Sequence, residues 1–229
     1  MRTGPVVVLL LGSLAASLSV APPRRVGAAE WPVTVVTVAG VGDTLRKGRT
    51  TWTRAELRDE VFEGDAVRTA AATRLSLRTV TGHTLRMGPG TRLVLLADGT
   101  TAGDRAPRVR MTGGWLWVAA LPVAGARSQL DIEVGPAMVS VLRGGVAVRV
   151  NRDGSVMVRT HHGGAVASGP GDRREWERPM SERQEVLVPI GAAPALSRPL
   201  APDEFEAEWV KWNEDQDLAG GYGGRAASQ

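Results

Sequence analysis

The chain has 229 residues, no cysteine, only three histidines and a formal charge of +4. Without cysteine there is no disulfide framework, no lipid-anchoring thiol and no thiol nucleophile. Three of the basic residues, Arg2, Arg24 and Arg25, sit in an N-terminal stretch that contains no acid, so the remainder is nearly balanced and argues against nucleic acid as a partner.

That N-terminal stretch has the three-part layout of a secretory leader. Arg2 gives a positive start, Val6 to Val20 is a charge-free apolar run, and Val26-Gly27-Ala28-Ala29 offers small residues to a signal peptidase. The apolar run is about 15 residues, short of the roughly 20 that span a bilayer. Residues 1–29 are therefore predicted to be a signal peptide cut after Ala28 or Ala29, with an uncleaved N-terminal anchor as the other reading. The expected location is the periplasm or the extracellular space, with no membrane span in the mature chain.

Residues 30–190 read as strands almost throughout. Short apolar/polar alternations recur at Arg74-Leu75-Ser76-Leu77-Arg78, Thr84-Leu85-Arg86-Met87, Arg92-Leu93-Val94-Leu95, Val139-Ser140-Val141 and Val146-Ala147-Val148-Arg149-Val150. Period-two alternation buries one face of a strand and wets the other. Gly88-Pro89-Gly90, Gly113-Gly114, Gly144-Gly145, Asp153-Gly154 and Gly163-Gly164 read as the turns between them. Val146 to Val150 and Val156 to Val158 read as a hairpin closed by Asp153-Gly154. Two stretches break the pattern. Thr53 to Glu60 reads as one helical turn or an exposed loop, and Ser168 to Gln184 as a charged, mobile loop.

Pro194, Pro199 and Pro202, following Pro189, mark a linker over 191–202. Residues 203–218 are predicted to be a helix, with Phe205, Trp209 and Trp212 on one stripe that docks onto the β body. Residues 219–229 read as a disordered tail. The predicted fold is all-β, a roll, sandwich or short solenoid of many short strands, with one C-terminal helix docked on it.

A series of motifs over roughly Val33 to Val188 resembles the FecR domain family of envelope proteins. Val61-Phe62-Glu63-Gly64-Asp65-Ala66-Val67-Arg68-Thr69 is similar to the family's opening motif, and Thr81 to Thr91, with Gly88-Pro89, to its Gly-Pro piece. Val134 to Val148, with Arg143-Gly144 at its centre, resembles its Val-Arg-Gly-Thr core. Gly145 stands where the family has Thr. The resemblance implies an all-β module in which Gly64, Asp65, Gly88, Pro89, Arg143 and Gly144 are structural. The namesake regulator also has a cytoplasmic sigma-factor-binding domain. The leader read here puts a different segment in that place, so the anti-sigma role is not expected to carry over.

No catalytic constellation is legible, and no enzyme, cofactor or metal is predicted. His161-His162 would point to opposite faces of a strand, a poor metal pair. The acids scatter, which gives little support to a paired-carboxylate hydrolase. Two features qualify as ligand-binding candidates. Trp115 and Trp117 share one strand face and would stack on a sugar, or else form core. Arg74, Arg78 and Arg86, with Arg92, Arg149 and Arg159, stand at polar strand positions, where they form either a basic face for an anionic polymer or a solvated face, and Arg143, beside Gly144, is either a structural residue of a turn or a ligand contact. The expected function is a non-enzymatic secreted envelope module that binds or scaffolds, its partner an envelope polysaccharide or protein. The alternatives are a carbohydrate-binding sandwich for an anionic glycan and an envelope signalling component acting with a membrane partner.

Overall fold

A computed structural model describes residues 32–96, 107–120, 129–171, 175–201 and 207–220. The leader, Phe205 and the tail from 221 lie outside these. In chain order the described residues form β1 (Val33–Ala39), β2 (Gly42–Leu45), β3 (Thr53–Arg54), β4 (Glu60–Val61), β5 (Ala66–Thr69), β6 (Arg74–Thr79), β7 (Thr84–Met87), β8 (Arg92–Leu96), β9 (Arg108–Ala120) and β10 (Leu130–Val134). They continue with β11 (Ala137–Val150), β12 (Val156–Gly169), β13 (Trp176–Ser181), β14 (Gln184–Val188), β15 (Arg198–Pro199) and the helix α1 (Ala207–Ala219). All the strands join one branched, open sheet, so the all-β expectation with a single C-terminal helix holds.

The chain departs from the expected short strands in one systematic way. Gly113-Gly114, Gly144-Gly145 and Gly163-Gly164 do not end strands. They lie in the middle of β9, β11 and β12. Each pair divides its strand into two halves with different neighbours. β9 pairs with β8 and β10 before its glycines and with β7 and β11 after them. β11 pairs with β10 over 137–141 and with β9 over 144–150. β12 pairs with β14 over 156–160 and with β13 over 164–169.

The glycines also exchange the faces of the strand. Val109 and Met111 of β9 lie in the main core, and beyond the pair it is Leu116, Val118 and Ala120. In β11, Val139 and Val141 give way to Val146 and Val148, and in β12, Val156 and Val158 to Ala165 and Ala167. Odd and even positions trade places, which a regular strand cannot do. Gly144 and Gly163 face each other across the ladder with φ of 84° and 87°. A Cβ on Gly144 would collide with the His162 carbonyl, and one on Gly163 with the Arg143 carbonyl. Glycine is required here by close backbone approach and by conformation together.

The other departures are smaller. Thr53 to Glu60 holds β3, a turn and the start of β4. Where a mobile loop was expected, β12 runs on to Gly169 and pairs with β13, whose Trp176 and Met180 are buried. The charge around Trp176 hid that alternation. The Asp153-Gly154 hairpin forms as expected, with Val150 opposite Val156 and the Asp153 carboxylate accepting from the Ser155 amide and hydroxyl. In the expected linker, β15 adds a two-residue rung to β14.

Replacing Gly144 by Val combines an unfavourable positive φ, worth about 1–3 kcal/mol, with a collision against backbone that cannot move aside. The expected loss is about 3 kcal/mol or more in a urea titration, with Arg143→Val on the same strand close to neutral. An unchanged unfolding midpoint for Gly144→Val would remove the bend from this account.

Candidate functional site

Beyond its glycines, β9 is buried on both faces. Leu116 and Val118 enter the main core, while Trp117 and Ala119 form a second cluster with Trp209 of α1. Helix α1 lies over this outer face, so docking of the helix is observed. The docking stripe keeps Trp209 of the expected aromatic one but runs on through polar residues. Its buried residues are Trp209, Asn213 and Asp217, at i, i+4 and i+8, while Trp212 is half-buried and stacks on Trp209 at 5.4 Å.

Asp217 is the centre of the interface and is 1% exposed. One carboxylate oxygen accepts from Arg86 Nη1 at 2.5 Å. The other accepts from Trp117 Nε1–H at 2.9 Å and from His162 Nε2 at 3.0 Å. The Gly145 amide donates to His162 Nδ1 at 3.1 Å, which assigns the ring proton to Nε2 and aims it at Asp217. Arg86 Nη1 also donates to the Asn213 carbonyl. A Cβ on Gly145 would lie 2.8 Å from the Trp117 ring and 2.9 Å from Asp217 Oδ2. The position where the resembled family has Thr is thus the floor of a carboxylate socket, and a side chain there would fill it.

Both histidines face the helix, contrary to the opposite faces expected of neighbours in a strand. The ladder pairs Gly145 with His162 and Val146 with Thr160, leaving His161 in a bulge. The His161 ring lies against Trp117, tilted by 38° with ring centroids 4.6 Å apart, and its Nδ1 lies 3.4 Å from Glu214. Burial, then the positive charge of Arg159, push the His161 pKa down to about 4, outweighing the opposing pull of the Asp217 carboxylate.

A second buried ion cluster lies on β12 and β14. Glu185 is fully buried, bonded to Arg159 Nε at 3.0 Å and to Arg198 Nε at 2.8 Å. On the rim, Arg74 pairs with Glu208 at 2.9 Å and lies over the Trp212 ring, and Arg149 lies over Trp115. Between Trp115, Ala147, Arg149, Arg159 and Trp209 a cavity of about 10 Å³ remains, room for one water.

The candidate ligand residues therefore divide. Trp115, Trp117, Arg74 and Arg86 come together, but under or against the chain's own helix. Arg78 and Arg143 stay exposed and form no ion pair among the described residues. The residues assigned to structure are found in turns and close approaches. The buried Asp65 carboxylate accepts from the Lys47 and Phe62 amides and from Arg46, beside Gly64 at a φ of 83°. The Gly88 amide donates to the Trp115 carbonyl, and a Cβ there would press on Trp115 and Trp209, with Pro89 following. Sequence reasoning missed Asp217, Asn213 and Glu185, and considered His162 only as half of a poor metal pair. The signal available was the i, i+4, i+8 spacing from Trp209, which an apolar search passes over.

No protein-family model and no curated protein matches the chain. Among solved structures it is similar to two crystal structures of a putative anti-sigma factor from Parabacteroides distasonis ATCC 8503, both with a TM-score of 0.50. Identity is 15% and 14%, over 63% of this chain and 63% and 64% of those chains. The chain thus spans less than two thirds of the length of the structures it matches, and at this identity the likeness is one of fold.

Two outcomes follow from the socket. Breaking a buried ion pair typically costs about 3–5 kcal/mol, but here the helix can leave and let Arg86 reach water, so the loss is capped by the docking energy. Asp217→Asn and Gly145→Thr should both release α1, seen as faster proteolysis within 189–202 and a red-shifted tryptophan emission, with the β body still folded. Unchanged protection in both variants would mean that the socket does not hold the helix.

The depressed His161 pKa has a definite sign. The unfolded chain takes up the proton near pH 6.5 and the folded chain only near pH 4, so stability falls as pH drops between those values and levels off below. The shift is worth about 3 kcal/mol. His161→Phe should flatten that portion of the stability–pH curve relative to the parent. Parallel curves would show that His161 does not carry it.

Proposed function

We propose that this chain is an exported, non-enzymatic FecR-like module that binds or scaffolds a component of the cell envelope. The observation that carries this reading is the fold shared with the putative anti-sigma factor, together with the places the FecR-like residues occupy in it. Gly64-Asp65 and Gly88-Pro89 lie at turns, and Arg143-Gly144 lies at the face exchange of β11. The leader-like start of the sequence supports export.

A second reading, envelope signalling with a membrane partner, is favoured by the name of the fold neighbour. The glycan reading that rests on Trp115 and Trp117 loses support from the geometry, since Trp117 is fully buried beneath α1 and the space beside Trp115 admits one water.

The test is capture by the full chain from an envelope extract, with polysaccharide and protein fractions presented side by side. The exported protein should begin at Ala29 or Glu30 by intact mass and retain one of the two fractions specifically. Retention of neither, or a cytoplasmic full-length product, would overturn the reading.

A further inference from the structure

The face of the sheet formed by β3, β2, β5 and β8 carries a row of charges that the helix does not cover. Cross-strand pairing places Arg54 opposite Asp43, Asp43 opposite Arg68 and Arg68 opposite Arg92. Neighbouring strands lie about 4.8 Å apart, so the row extends about 14 Å across the four strands. Val67 and Leu93, the neighbours of Arg68 and Arg92 in sequence, are fully buried in the main core. The arginines therefore point to the opposite, solvent side, where both are exposed.

Trp52 lies over this row, half-buried. The Arg68 guanidinium is 4.2 Å and that of Arg92 5.4 Å from its ring centroid. Stacking fixes the plane of a guanidinium while leaving its N–H edge open to a planar oxyanion. The row holds three arginines against one acid. Asp43 bonds Arg68 Nε at 2.9 Å, and Arg54 donates to the Gly40 carbonyl. Arg92 has no carboxylate partner among the described residues. The single carboxylate present already has the geometry that an incoming one would take on the neighbouring arginines.

We infer that Trp52, Arg54, Arg68 and Arg92 form a binding face for an anionic polysaccharide that bears repeated carboxylates, such as a polyuronate. The inference rests on the reading of the chain as an envelope-binding module and gives that module a site and a ligand class. Charge complementarity selects an anion, and the row of about 14 Å selects a polymer over a single ion. Ala66 and Val94 lie one step along the same face and, with their small side chains, keep it low, which suits a flat, extended ligand. The aromatic edge beside the guanidinium groups suits a sugar ring.

The experiment measures binding of the full chain to polygalacturonate, to uncharged dextran and to poly-glutamate at several salt concentrations. The parent should bind polygalacturonate, not dextran, with affinity that falls as salt rises. Arg68→Gln/Arg92→Gln should weaken it by about tenfold or more, a loss of about 1.4 kcal/mol, and Trp52→Ala should weaken it with no change of charge. The charge-matched control Arg78→Gln/Arg143→Gln should stay within about twofold of the parent. Thermal melts of each variant establish folding. If a variant melts early, Trp52→Phe and Arg68→Lys/Arg92→Lys serve instead, the second retaining charge but losing the planar fork. No binding by the parent, equal loss in the control, or equally tight poly-glutamate binding through the same residues would overturn the inference. Envelope capture that persists in Arg68→Gln/Arg92→Gln would overturn this site while leaving the envelope-binding reading in place.

Discussion

The close approach of Gly144 and Gly163 is the constraint from which most of this architecture follows. Long strands with one apolar face would make a flat sheet with a single core. Here three strands exchange their faces at mid-length; β9 changes both of its neighbours there, while β11 and β12 stay paired with each other and change the neighbour on their other edge. One continuous core can then be lined by both halves of β9, β11 and β12. The exchange also decides what lies on the outside. Next to it, β9, β11 and β12 present Trp117, Ala147 and Arg159 outward, a set too apolar to be left wet and too polar to be packed as ordinary core.

Helix α1 resolves that conflict by electrostatics more than by hydrophobic burial. A 13-residue helix is marginal alone in water, and the buried stripe of this one includes Asn213 and Asp217. Covering Arg86 without a counter-charge would cost several kcal/mol, and Asp217 supplies that charge at hydrogen-bond distance. Arg159 is matched in the same way by Glu185. Such pairs add little net stability over a well-packed apolar alternative. The Arg86–Asp217 pair does penalise every other register of the helix, because any shift separates the two buried charges. The arrangement favours a unique docking pose over a tight one. The absence of a side chain at Gly145 is the steric condition for it.

Much of this was legible in the sequence, for a physical reason. Alternation at Arg74 to Arg78 and Thr84 to Met87 reports burial directly, so strands and the core face of each were readable. The Asp153-Gly154 hairpin was readable because its turn chemistry is local. The glycine pairs were misread because a glycine with positive φ serves a turn and a mid-strand exchange equally well, and only the partner strand distinguishes them. Trp176 was lost in a run of charge whose solvent-facing half is what a strand needs. The socket was illegible for a different reason. It joins β7, β9, β11, β12 and α1, and no window of sequence contains Arg86 and Asp217 together.

The two arginine-bearing regions of the sheet obey one rule with opposite results. Under α1 the arginines are desolvated, so the fold must provide Asp217 and Glu185, and the positions of those acids are fixed by the cost of leaving them out. On the face of β3, β2, β5 and β8 water solvates the guanidinium groups, nothing obliges the chain to match them, and a surplus of positive charge persists. Stacking on Trp52 then orders side chains that would otherwise be mobile. Ordering a charge such as that of Arg92 on an exposed surface costs side-chain entropy with little return in stability. The same ordering reduces what an anionic ligand must overcome on binding, which separates this row from an ordinary solvated face.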